Sequence, residues 1–164
     1  MKLIDFNLDE RNKIGKSLSF YANLSKAAVV ICFILICAFS LLPAKDIPHT
    51  SIFPFGDKGA HAIAYAGFGF FAFLSISLSF LTKHLPNEEI HEVREIMVAT
   101  FNVFLVGLPL GLIIEFIQSR VGRTFDLYDW LADAIGLIIG CIFAAIVNQL
   151  LVNYKIKQIK VLVV

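Results

Sequence analysis

The chain has 164 residues, of which 58% are hydrophobic and only 16% charged, with a formal net charge of +1. A mean hydropathy of +0.79 lies outside the range of ordinary soluble domains. The length allows one domain, and with the charge so balanced nothing points to nucleic acid as a partner.

Residues 1–25 are mostly polar, and 9–25 can form a basic interfacial helix with Ile14, Leu18 and Tyr21 on one face. Four stretches then lack Asp, Glu, Lys and Arg altogether: 27–44, 59–82, 96–114 and 134–154. A helix needs about 20 residues to cross the hydrocarbon of a bilayer. The prediction is an all-α integral membrane four-helix bundle with a short N-terminal interfacial helix. Its divisions are a basic amphipathic segment 1–25, a membrane domain 26–154 and a basic tail 155–164. Small residues at Ala38 and Ser40 loosely resemble a signal cleavage site, but the long polar lead favours a retained first helix. Cys32, Cys37 and Cys141 fall inside apolar runs and read as packing residues, not a disulfide framework.

The first loop carries Pro43, Pro48 and Pro54, which prevent a long helix, and Phe53 and Phe55, which suit an interface. The second helix opens on Asp57, Lys58 and His61. Asp57, His61, Tyr65 and Gly69 recur every four residues and share a face. Asp57 also suits an N-cap. His61 reads equally as a hydrogen-bonded packing residue or as part of a site. In the second loop Asn87 reads as a helix cap, and His84 and His91 as solvated residues.

The third helix ends on Glu115 and Gln118. An acid within a span is costly and by default marks a site, although Glu115 could instead pair with a base such as Lys58 or Arg123. Gly107 and Gly111 permit close helix packing, and Pro109 between them can bend the helix and release a carbonyl. Gly122 suits a helix C-cap, flanked by Arg120 and Arg123, which can anchor at the interface or fork onto a carboxylate or phosphate. The fourth helix opens on Asp126 and Asp129 in a capping arrangement, with Trp130 at belt depth. Asp133, Gly136, Gly140 and Ala144 continue one face.

Successive spans alternate in direction, so the start of the second, the end of the third and the start of the fourth meet at one surface. Ten Lys and Arg lie on the side of the termini and four on the other, which predicts cytoplasmic termini and an outward-facing polar cluster. Asp57, Glu115, Asp126, Asp129 and Asp133 outweigh Lys58, Arg120 and Arg123. That surplus implies shared protons, water or a bound cation. His61, Glu115, Asp129 and Asp133 are candidate ligands of a divalent metal. His61, Glu115 and Asp129 are also the candidate catalytic groups, with one as general base and Arg123 steadying negative charge. Asp57, Lys58, Tyr65, Gln118, Arg123, Asp126 and Asp133 are candidate binding residues.

Three pieces in order resemble the VanZ-like membrane proteins: Asp57-Lys58 with His61, Tyr65, Phe68 and Gly69; Glu115 with Gln118; and Arg123, Asp126, Asp129, Ala132, Asp133, Gly136 and Gly140. The resemblance runs over about half of the chain, and Asp133 stands where the family pattern usually has asparagine. It implies an envelope-linked multi-pass protein whose motif residues form a shared site. The family's namesake is associated with low-level teicoplanin resistance; neither that resistance nor a catalytic role carries over with the motif.

The function that fits best is binding, with or without modification, of an anionic amphipathic envelope molecule such as a membrane lipid, a lipid-linked precursor or a glycopeptide-like ligand. A non-catalytic scaffold is one alternative, in which the cluster only locks the bundle. A small proton-coupled transporter is the other; it would need a homodimer and a polar path through inner halves that read as almost wholly apolar.

Overall fold

The computed structural model describes residues 8–40, 56–84 and 92–162. They form four helices: α1 (Leu8–Ser40), α2 (Gly56–His84), α3 (Glu92–Gln118) and α4 (Leu127–Leu162). Each contains a segment long and apolar enough to cross a membrane, and the protein is a multi-pass membrane protein. The expectations for Pro43, Pro48, Pro54, Phe53, Phe55, Asn87, His91 and the side chain of His84 lie outside the described residues.

The N-terminal segment is helical as expected, but it is not a separate element: it runs unbroken into the first span as the 33-residue α1. No proline interrupts 9–40, so nothing forces a break, and at 1.5 Å per residue α1 is about 50 Å long. Ile14, Leu18 and Ala22, spaced by four, are buried in the shared core, whereas Tyr21 is exposed. That face therefore packs on the bundle. At the other terminus, α4 likewise carries helix past 154 to Leu162.

The segment of α2 that spans is the most buried of the four, and α2 lies against both α4 and α1. Its closest partner is α4, because two glycines of α4 bring the backbones together. A Cβ on Gly136 would lie 2.3 Å from the Ala62 carbonyl oxygen, and one on Gly140 2.3 Å from that of Ala66. This is small-residue packing at four-residue spacing. Gly69 and Gly107 both face Leu137, so α2, α3 and α4 meet around that side chain. Phe73, Leu78, Val103 and Leu137 are almost fully buried and fill the middle of the bundle. Exposed large apolar residues on α1, α3 and α4, such as Ile34, Leu105 and Ile142, make the outward surface that lipid covers.

Candidate functional site

The turn between α3 and α4 builds one wall of the site. α3 ends at Gln118, and Gly122 adopts a left-handed φ of 85°. The amide of Arg123, just beyond it, donates to the Gln118 carbonyl at 3.2 Å, closing the six-to-one bond of a Schellman cap. The cap expected at Gly122 is therefore present, and it launches Arg123 back over the bundle to an ion pair with Asp57 in the first turn of α2. Arg120 takes another course: it is exposed and stacks on Phe116 at 5.0 Å, outside the cluster. Of the two arginines only Arg123 joins the site.

Asp126 caps α4 as its spacing predicts. Its Oδ1 accepts the Tyr128 amide at 2.8 Å, and its own amide donates to Glu115 Oε2 at 3.2 Å. Lys58 donates to Asp126 Oδ2 at 2.7 Å and to Asp129 Oδ1 at 2.9 Å, and its ammonium also lies 5.8 Å from the Tyr128 ring. Lys58 and the Tyr128 amide hold the Asp126 carboxyl below the ordinary carboxylate range. A carboxyl so lowered ties the turn to α2 above its unfolded pKa, and that tie is lost as pH falls through the lower folded value. Asp57, by contrast, spends its carboxylate on Arg123; among the described residues it makes no capping bond.

Deeper in, His61 Nδ1 shares a 2.9 Å hydrogen bond with Asp133 Oδ1, and His61 Nε2 lies 3.9 Å from Glu115 Oε1. Tyr65, Glu115 and Asp133 are fully buried, and Gln118 nearly so. Gly111 makes room for this layer: a Cβ there would lie 2.7 Å from Asp133 Oδ2 and 3.4 Å from the Tyr65 hydroxyl. Four buried polar atoms in this one region have no hydrogen-bond partner: Tyr65 Oη, Glu115 Oε1, Gln118 Nε2 and Asp133 Oδ2. Buried polar groups are nearly always paired, so four orphans together leave unusual hydrogen-bonding capacity unused. Trp130 turns inward instead of joining an interfacial belt, because its indole N–H donates to the Leu108 carbonyl at 3.0 Å, next to Pro109.

All ten sequence-derived site residues thus gather at one end of the bundle. The donor atoms of Asp57, His61 and Asp129 lie within 4.8 Å of one another, close enough to share a cation. Asp133 instead braces His61 at Nδ1, and Glu115 faces its Nε2. The sequence reading missed polar residues at the opposite end: Glu95, Asn148 and Ser77 are buried there, and Glu95 and Asn148 line a cleft with Leu81 and Ile96. Glu95 lies 20 residues from Glu115, about 30 Å along α3. The signal was available in Asn148, a polar residue inside an otherwise apolar run. The two zones remain separated by the apolar layer of Phe73, Val103 and Leu137.

A family model described as VanZ/LLP1 matches residues 17–148, well over half of the chain and including every site residue. No curated protein and no solved structure matches the chain.

Proposed function

The chain belongs to the VanZ/LLP1 family, and on that premise we propose that its polar pocket binds the anionic headgroup of an amphipathic envelope molecule. The observation that carries this reading is the set of orphaned polar atoms on Tyr65, Glu115, Gln118 and Asp133, contributed by three helices at one end of the bundle. Lys58 and Asp126 stand half-exposed at the pocket mouth, which gives a headgroup a way in from the membrane boundary. The N-terminal ends of α2 and α4 both point there, and unpaired helix N–H groups favour negative charge. Acyl chains would lie along the exposed apolar flanks of α3 and α4. The Lys and Arg asymmetry supports a pocket that opens outward from the cell membrane, with both termini cytoplasmic. A transporter is disfavoured by the apolar layer between the two polar zones.

Trp130 is the only tryptophan, and its ring borders Gly111 beside the pocket, so its fluorescence reports on this place. Purified full chain in neutral detergent, without chelators, would be titrated with short-chain phosphatidylglycerol and with phosphatidylcholine. Binding at least about 10-fold tighter for the anionic lipid, equivalent to about 1.4 kcal/mol, is expected. Arg123→Gln should erase that preference. Equal responses to both lipids, or a preference untouched in folded Arg123→Gln protein, would refute the reading.

A further inference from the structure

The pocket is acid-rich, yet the guest argued for it is an anion. Five carboxylates, from Asp57, Glu115, Asp126, Asp129 and Asp133, surround two permanent cations, and both cations are already engaged: Arg123 by Asp57, and Lys58 by Asp126 and Asp129. An anion entering such a place needs another positive charge.

We propose that the pocket binds one divalent transition-metal ion, with Asp57, His61 and Asp129 as its protein ligands. One donor atom from each lies within 4.8 Å of the others. Donors around a zinc-like ion with bonds of about 2.1 Å are about 3.4 Å apart, so side-chain shifts of about an ångström close the set. A nitrogen with two carboxylate oxygens suits zinc and similar first-row ions, and three protein ligands leave a position open for a further oxygen. Asp57 gives Oδ2 to Arg123 and Asp129 gives Oδ1 to Lys58, so each retains a second oxygen. His61 directs Nδ1 to Asp133 Oδ1 at 2.9 Å, which leaves Nε2 as the ligating nitrogen. A carboxylate behind a ligating histidine fixes its tautomer and raises its basicity.

An independent observation points to the same spot. Glu115 is fully buried, and its Oε1, without a hydrogen-bond partner, lies 3.9 Å from His61 Nε2. A cation at Nε2 would supply the partner this oxygen lacks. The role of the ion as the bridge to an anionic headgroup rests on the function proposed above; its binding does not.

The test uses the full chain in detergent, stripped with chelator and dialysed. Cobalt(II) titration followed by visible absorption should show one ion per chain, displaced by zinc. His61→Ala should abolish the cobalt spectrum. Asp133→Asn, which keeps the side-chain shape, should weaken affinity by about 10- to 100-fold as a positioning change. The absence of saturable cobalt binding by wild-type protein overturns the proposal, whatever the variants do; so does unchanged affinity in folded His61→Ala protein. The phosphatidylglycerol titration, repeated with zinc and with chelator, separates the two ideas. A lipid preference that persists in chelator, in protein that binds no cobalt, removes the ion and keeps the headgroup. Cobalt binding without any lipid preference does the reverse.

Discussion

Gly140→Val is expected to leave little folded protein. A Cβ at this position would lie 2.3 Å from the Ala66 carbonyl oxygen and 2.8 Å from the Phe70 amide nitrogen. Both are backbone atoms of α2, so no rotamer change relieves the clash and the two helices must move apart. Separation would undo the seam around Gly136 and Leu137 and would carry Asp133 away from His61. Overpacking ordinarily costs about 1–3 kcal/mol, and a backbone-to-backbone clash at the tightest contact falls at or beyond the upper end. Gly67→Ala provides the contrast: its Cβ would meet only Cys32 Sγ at 3.8 Å, an ordinary contact, and the change should stay within about 0.5 kcal/mol. Thermal unfolding of the two purified variants, followed by size-exclusion profile, checks the pair; comparable midpoints would mean that the α2–α4 seam is looser than described.

Glu115→Gln is expected to give normal abundance and a normal melting profile together with loss of ligand response. The amide oxygen can still accept the Asp126 N–H that Glu115 Oε2 accepts now, so the α3–α4 turn keeps its tie. What disappears is the carboxylate oxygen facing His61 Nε2, the partner of the cation proposed to bridge the headgroup. Glu115→Leu differs, because it leaves the Asp126 amide without that acceptor, at a cost of about 1–3 kcal/mol if no water replaces it. A polar lock with no ligand would instead make the glutamine variant unstable, since the approach of Glu115 to His61 would then serve only to hold α3 against α2. Trp130 fluorescence with the anionic lipid reads the first outcome and circular dichroism on heating reads the second. Destabilised Glu115→Gln protein that still prefers phosphatidylglycerol would favour the scaffold.

The four spans were legible because a water-soluble core seldom needs even one apolar run of membrane length, and this chain has four. The gathering of Asp57, His61, Glu115, Gln118, Asp129 and Asp133 followed from the alternation of span direction alone. Finer choices depended on angles that residue spacing does not encode. Arg120 and Arg123 are equivalent as residue types, and only the left-handed turn at Gly122 sends one into the pocket and the other onto Phe116. The N-terminal segment and the first span form one helix because polar residues do not end a helix whose face at Ile14, Leu18 and Ala22 can be buried. Trp130 fitted an interfacial belt by depth, but a carbonyl at Leu108 gave its N–H a better partner. The buried end containing Glu95 and Asn148 went unseen because a single acid near a helix start looks like an ordinary boundary.

The plug of Phe73, Val103 and Leu137 has an electrical consequence. Transmembrane voltage drops mainly across material that excludes water and ions, and this hydrocarbon septum lies wholly on one side of the recess. An ion or phosphate group arriving at His61 from the adjacent bath therefore traverses little of the field, whereas a full crossing exchanges about 2.3 kcal/mol per charge at 100 mV. Occupancy in polarised vesicles should consequently track bath composition and remain indifferent to the applied potential.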